Sequence, residues 1–268
     1  MNKVETKSNS IRNIIKLKKV KGLKMQKKLI AYSIVAAAIT TFGSNGFAHT
    51  RLEVPEIIEN VRASNNVVIG HGCGDRNVIG TSVVFPDGVD STIIVDGQPH
   101  TGALTDFVQN WGNQNQKVFS KAVFSFQGET VDANENVVGF WAGGGDSLPH
   151  DMAGYIPFRT GAVVIEPTSC AVSVKFYVSV VDVCEITPTS GFNENTVNLW
   201  THNNLGTPYD RVSTTDDGPA SLTVTRDVAN NPLDASCGAG KVVEVKPSAA
   251  QINRDMPIKQ NGNQIWPQ

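Results

Sequence analysis

Five histidines, His49, His71, His100, His150 and His202, carry most of the metal-binding chemistry in this chain. His49 stands in Gly46-Phe47-Ala48-His49-Thr50, where the small residue Ala48 has the form of a leader-peptidase site. Cleavage after Ala48 makes His49 the first residue and gives a metal two nitrogens, the α-amine and the ring Nδ1. An α-amine has an unperturbed pKa of about 7.7–8.0, so a metal displaces its proton at modest cost. His71 lies in Gly70-His71-Gly72-Cys73-Gly74, and glycines on both sides free the backbone for a tight turn or a close approach. Trp200-Thr201-His202 closes a strand-like run. Residues two apart on a strand share a face, so Trp200 and His202 are expected to project together. His150 follows the run Gly143-Gly144-Gly145-Asp146, read as a turn, and is a further ligand candidate. Each has a plain alternative: a cut that happens to expose a histidine, a turn with an exposed imidazole, a core tryptophan with a histidine at its rim.

Imidazole and amine donors suit copper, zinc or nickel. The chain has no His-Glu-x-x-His helix for zinc-protease chemistry and no Gly-x-Ser-x-Gly nucleophile motif. It lacks the Cys, His and Met cluster of a blue-copper site. Two of its four methionines, Met1 and Met25, precede His49, which excludes a Met-rich carrier.

The elements that must position these residues begin with a leader. Residues 1–48 read as a signal peptide, with Lys27 and Lys28 before an apolar run from Leu29 to Phe42. That run is too short and wrongly flanked for a membrane span. Met25 to Ala48 makes a cleaner leader than residues 1–48, so the expected start is Met25, with a long basic n-region from Met1 as the alternative. Ten of the 23 Lys and Arg fall in residues 1–48, against one of the 25 Asp and Glu, so residues 49–268 carry 13 positive and 24 negative charges, a net of −11. Such an acidic surface repels phosphate backbones and excludes nucleic acid as a partner.

Cys73, Cys170, Cys184 and Cys237 make an even count, which in an exported chain reads as two disulfides. Residues 171–183 contain no turn signal and read as one strand of roughly 43 Å at ~3.3 Å per residue. A disulfide needs Cα atoms about 4.4–6.8 Å apart, so Cys170 and Cys184 do not pair with each other. Two pairings remain open.

After residue 48, short β-rich runs recur between Gly, Pro, Asn and Asp clusters. The predicted strands are 66–70, 79–85, 92–96, 117–126, 136–142, 161–166, 171–183, 196–200, 221–226 and 241–246. This spacing predicts an antiparallel sandwich or barrel. Residues 49–246 are expected to form one domain, and 247–268 a polar tail.

Five ordered blocks, Ala48-His49-Thr50, HGCGD at 71–75, TSVVFPDGV at 81–89, FYVSVVDVCE at 176–185 and LWT at 199–201, resemble the YcnI-like family of exported copper-binding domains. The resemblance implies an all-β, antiparallel Ig-like β-sandwich. It also implies a copper site on an N-terminal histidine, here His49, with a tryptophan, here Trp200, over it. The family's acidic ligand has no clear counterpart; His71 stands near that position, with Asp75 close by. The resemblance also places the HGC and VCE cysteines together, implying Cys73–Cys184 and therefore Cys170–Cys237. A looser resemblance joins Trp200-Thr201-His202 to the Trp-x-His arrangement of methanotroph surface copper proteins of the MopE and CorA kind, which implies oxidation of Trp200 to kynurenine.

The leading expectation is therefore an exported, non-enzymatic bacterial protein of the periplasm or cell surface that binds copper for acquisition or trafficking. Its ligand set is His49, His71 and His202 beside Trp200, and its partner a membrane or periplasmic copper-handling protein. One alternative is a metal-free surface sandwich. Another is a copper monooxygenase of the lytic polysaccharide type, with Trp111 as a sugar platform.

Overall fold

The computed structural model of the chain describes residues 49–109, 114–211 and 218–268. The leader, residues 1–48, and Trp111 lie outside the described residues. The strands are β1 (Arg51–Leu52), β2 (Glu56–Ile58), β3 (Ala63–Ile69), β4 (Val78–Val84), β5 (Thr92–Val95), β6 (Gln98–His100), β7 (Asn115–Lys117) and β8 (Phe126–Val131). They continue with β9 (Val137–Leu148), β10 (Gly154–Thr160), β11 (Ala171–Val183), β12 (Val197–Trp200), β13 (Ala220–Thr225) and β14 (Lys241–Lys246). A short helix α1 (Ala249–Asp255) and the hairpin β15 (Ile258–Gln260) and β16 (Asn263–Trp266) complete the chain. The fold is an all-β sandwich. Among the described residues no helix is long and apolar enough to cross a membrane.

A small sheet of order β1-β3-β10-β7 faces a large one of order β6-β5-β14-β11-β4-β9-β8, with β12 and β13 also on β11 and β2 on β13. Pairing is antiparallel except for β11 with β14 and β13 with β2. β11 holds the large sheet together. Its residues 173–178 pair with β13, and its residues 179–183 pair with β4, with β12 along 180–183.

The core lies between the sheets. Val67, Ile156 and Phe158 of the small sheet meet Val83, Phe140, Phe176 and Val180 of the large one. Phe158 packs on Phe140 and Phe85 at ring distances of 5.3 and 5.7 Å, within the range of favourable aromatic pairs. The large sheet also buries its outer face. Val84, Trp141, Val181 and Val183 point outward and are covered by Ile252, Met256, Ile258 and Trp266. This is why TSVV and VSVVDV read as nearly continuous apolar runs: both faces of these strands are covered.

The expected polar tail is thus corrected. Residues 247–268 form the outer layer of the domain, because their large apolar side chains Ile252, Met256, Ile258 and Trp266 face the sheet. Ser248 caps α1 by accepting from Gln251 N at 3.0 Å. The Gln251 side chain donates to Phe85 O at 2.7 Å and accepts from Asp87 N at 3.0 Å. Three other expectations are revised. Residues 117–126 split into the end of β7, a loop and the start of β8. The run 161–166 is not a strand, and β10 just before it is one. The glycines at 143–145 lie inside β9, where positive φ at Gly144 and Gly145 and a shift in register against β4 make a bulge in place of a turn.

Candidate metal centre

Cys73 is bonded to Cys184 and Cys170 to Cys237, the pairing that the family resemblance implied. The first bridge fixes the loop that carries His71. It joins the residue two after His71 to the residue just past β11, with Cα atoms 6.0 Å apart. Two further ties hold the loop. Asn198 of β12 donates to Gly72 O at 3.0 Å, and Gly72 N donates to His150 O at 2.9 Å. Gly72 has no room for a side chain: a Cβ there would lie 2.0 Å from Arg76 O and 2.8 Å from the Cβ of His150. That is the physical reason for glycine beside His71.

The His71 ring contacts Gly72 O through Nδ1 at 2.5 Å. A carbonyl only accepts, so Nδ1 is the protonated nitrogen and Nε2 is the one left to ligate. Metal-binding histidines commonly hold their rings in this way. The same ring meets Trp200 edge-on, with centroids 5.9 Å apart. His49 meets Trp200 as well, at 4.9 Å and an interplanar angle of 51°. One indole therefore gathers two imidazoles that are 22 positions apart in the chain.

Under them lies Asp182 of β11, fully buried. Its Oδ2 accepts from Trp200 Nε1 at 2.8 Å and from Thr50 Oγ1 at 2.5 Å. Its Oδ1 accepts from Thr81 Oγ1 at 3.0 Å. Burial pushes the carboxyl above its ordinary range, opposed by the bonds from Thr50, Trp200 and Thr81 and by the nearby His71. Both oxygens are engaged by protein donors, so Asp182 supports the centre from below. Asp182 is not among the residues expected from the sequence to build the centre. The signal was an acid inside the apolar run Tyr177–Val183, since a charge in such a strand is tolerated only when partnered.

His202 does not join this group. Trp200 is the last residue of β12, and the chain bends at Thr201, so the two-residue alternation stops before His202. Trp200 turns into the core between the sheets, whereas His202 packs against Tyr177 with ring centroids 5.2 Å apart. Tyr177 lies between the core residues Phe176 and Val178 in sequence and so points to the opposite face. Burial, with Lys246 and Arg211 nearby, pushes the His202 imidazole down to about 4. His100 pairs with Asp106 at 2.8 Å, His150 reaches the His71 loop through its backbone, and Asp75 is exposed.

Among the described residues no group of three or more His, Cys, Asp or Glu side chains forms a ready-made metal site. The donors present are nitrogens, of the kind that suits copper, zinc or nickel. Two imidazoles sit at one indole, one ring is already oriented by a carbonyl, and the α-amine of a chain beginning at His49 would be the third nitrogen.

No family model matches the chain, and no curated protein matches it. Among solved structures it is similar to an uncharacterized protein from Nocardia farcinica whose crystal structure reveals an immunoglobulin-like fold. The identity is 9%, the alignment covers 67% of this chain and 98% of that one, and the TM-score is 0.33.

Proposed function

We propose that this chain is an exported copper-binding protein that acquires or carries the metal without turnover, in the manner the YcnI-like resemblance implies. The α-amine and Nδ1 of His49 and Nε2 of His71 would hold one copper ion, with Trp200 beside it. When bound, the metal supplies a cation for transfer to a membrane or periplasmic partner. The protein's own part is to present nitrogen donors at a fixed spacing and to shelter one side with an indole. The observation that carries this reading is the convergence of His49 and His71 on Trp200. The two disulfides fit a chain that folds under oxidising conditions, as export requires. His202 is not in the proposed set.

The test is elemental analysis of protein that begins at His49, purified without added metal, followed by titration with copper(II). One copper per chain is the expected result. Protein that neither retains nor takes up copper would leave the metal-free sandwich as the better account.

A further inference from the structure

We infer that Asp182 is the positioning residue of this centre, setting His49 and Trp200 relative to each other through a single carboxylate oxygen. The inference rests on the copper reading above. Thr50 and Trp200 come from separate elements, the segment leading into β1 of the small sheet and the end of β12 in the large sheet. Both donate to Oδ2 of Asp182. Thr50 is the residue after His49, so its hydroxyl fixes where the backbone of His49 leaves the sheet. The indole N–H fixes the rotation of the Trp200 ring about its own axis. Thr81 of β4 holds Oδ1 and prevents the carboxylate from turning. Asp182 itself sits in the strand that is packed on both faces, two residues before the disulfide that ties down the His71 loop. Asp182 thus anchors the His49 segment and Trp200 directly, and the neighbouring disulfide anchors the third part of the centre, the His71 loop.

Thr50 is buried and donates to Asp182 Oδ2, so Thr50→Val removes one of the two donors to that oxygen and keeps the shape. Asp182→Asn is the companion variant. It keeps one acceptor oxygen for Trp200 and Thr50 and requires Thr81 to reverse its hydroxyl. The experiment titrates copper(II) alone into wild type and each variant, all beginning at His49. It reads affinity, the electron paramagnetic resonance spectrum of bound copper, and the unfolding midpoint of the metal-free protein.

The expected result for Thr50→Val is a copper affinity lower by about tenfold, the scale of one hydrogen bond to a charged acceptor. Its resonance spectrum should be altered and its metal-free unfolding midpoint lowered, since a buried carboxyl oxygen loses one of its two donors. Asp182→Asn should bind more weakly still but better than Asp182→Ala. If wild type binds copper and Thr50→Val matches it in affinity and spectrum, the positioning role is overturned and the copper reading stands. If wild type takes up no copper, both fall. If Asp182→Asn does not fold, Thr50→Val alone decides.

Discussion

Trp200 and His202 lie on opposite faces of the large sheet, although one residue separates them. Trp200 turns inward to Asp182, and His202 turns outward to Tyr177. The division yields the sharpest contrast among the histidines. His71→Ala should weaken copper binding by tenfold or more, since it removes one of three nitrogens. His202→Ala should leave the affinity unchanged. Isothermal titration of the two variants checks this, and equal losses would return His202 to the ligand set.

Adding one residue before His49 removes the α-amine and leaves every side chain in place. Copper affinity is expected to collapse with no change in the unfolding midpoint. Affinity equal to that of the unextended chain would mean that side chains alone hold the metal.

The two disulfides should separate stability from binding. Replacing either pair by alanines should cost about 2–5 kcal/mol. Only loss of Cys73–Cys184, the bridge beside the His71 loop, should also lower copper affinity. Denaturant unfolding and copper titration of both double variants give the comparison. Reduced affinity on loss of Cys170–Cys237 would contradict it.

His202 should make the fold acid-sensitive. Its imidazole is held down to about 4, against about 6.5 in an unfolded chain. Above pH 6.5 neither state carries the proton. Between 6.5 and 4 the unfolded chain takes up a proton that the folded chain refuses, so stability falls as the pH falls. Below 4 the effect levels off, at a loss of about 3 kcal/mol at most. Urea unfolding of wild type and His202→Phe from pH 7.5 to 4 should show a steeper decline for wild type, and parallel curves would refute the assignment.

Much of this architecture is legible in the sequence because buried strands write themselves as β-branched runs between turn residues. Residues 171–183 were readable to the residue as β11. β10 was not, because Pro157 lies in it and proline argues against a strand with neighbours on both sides. The structure accommodates it by pairing β10 with β7 only along Phe158–Thr160, past the proline. The C-terminal layer was hidden by its composition. Polar residues dominate 247–268, and the alignment of Ile252, Met256, Ile258 and Trp266 on one side emerges only when the helix and hairpin form. Within the centre, His49, His71 and Trp200 could be named from local motifs. Asp182 and the bend at Thr201 depend on which face each strand presents, and that is settled by packing at a distance.

The anchoring of the centre on β11 has a consequence for how binding would register in amide hydrogen exchange. Val180, Val181 and Asp182 belong to a strand covered on both sides and paired on both edges, so their amides open only when the whole molecule does. Thr50 joins that strand through one side-chain bond. Copper held by His49 should therefore slow exchange at the first few residues and in the loop around His71, while the amides beneath Asp182 keep the rate set by global unfolding until the metal stabilises the entire fold.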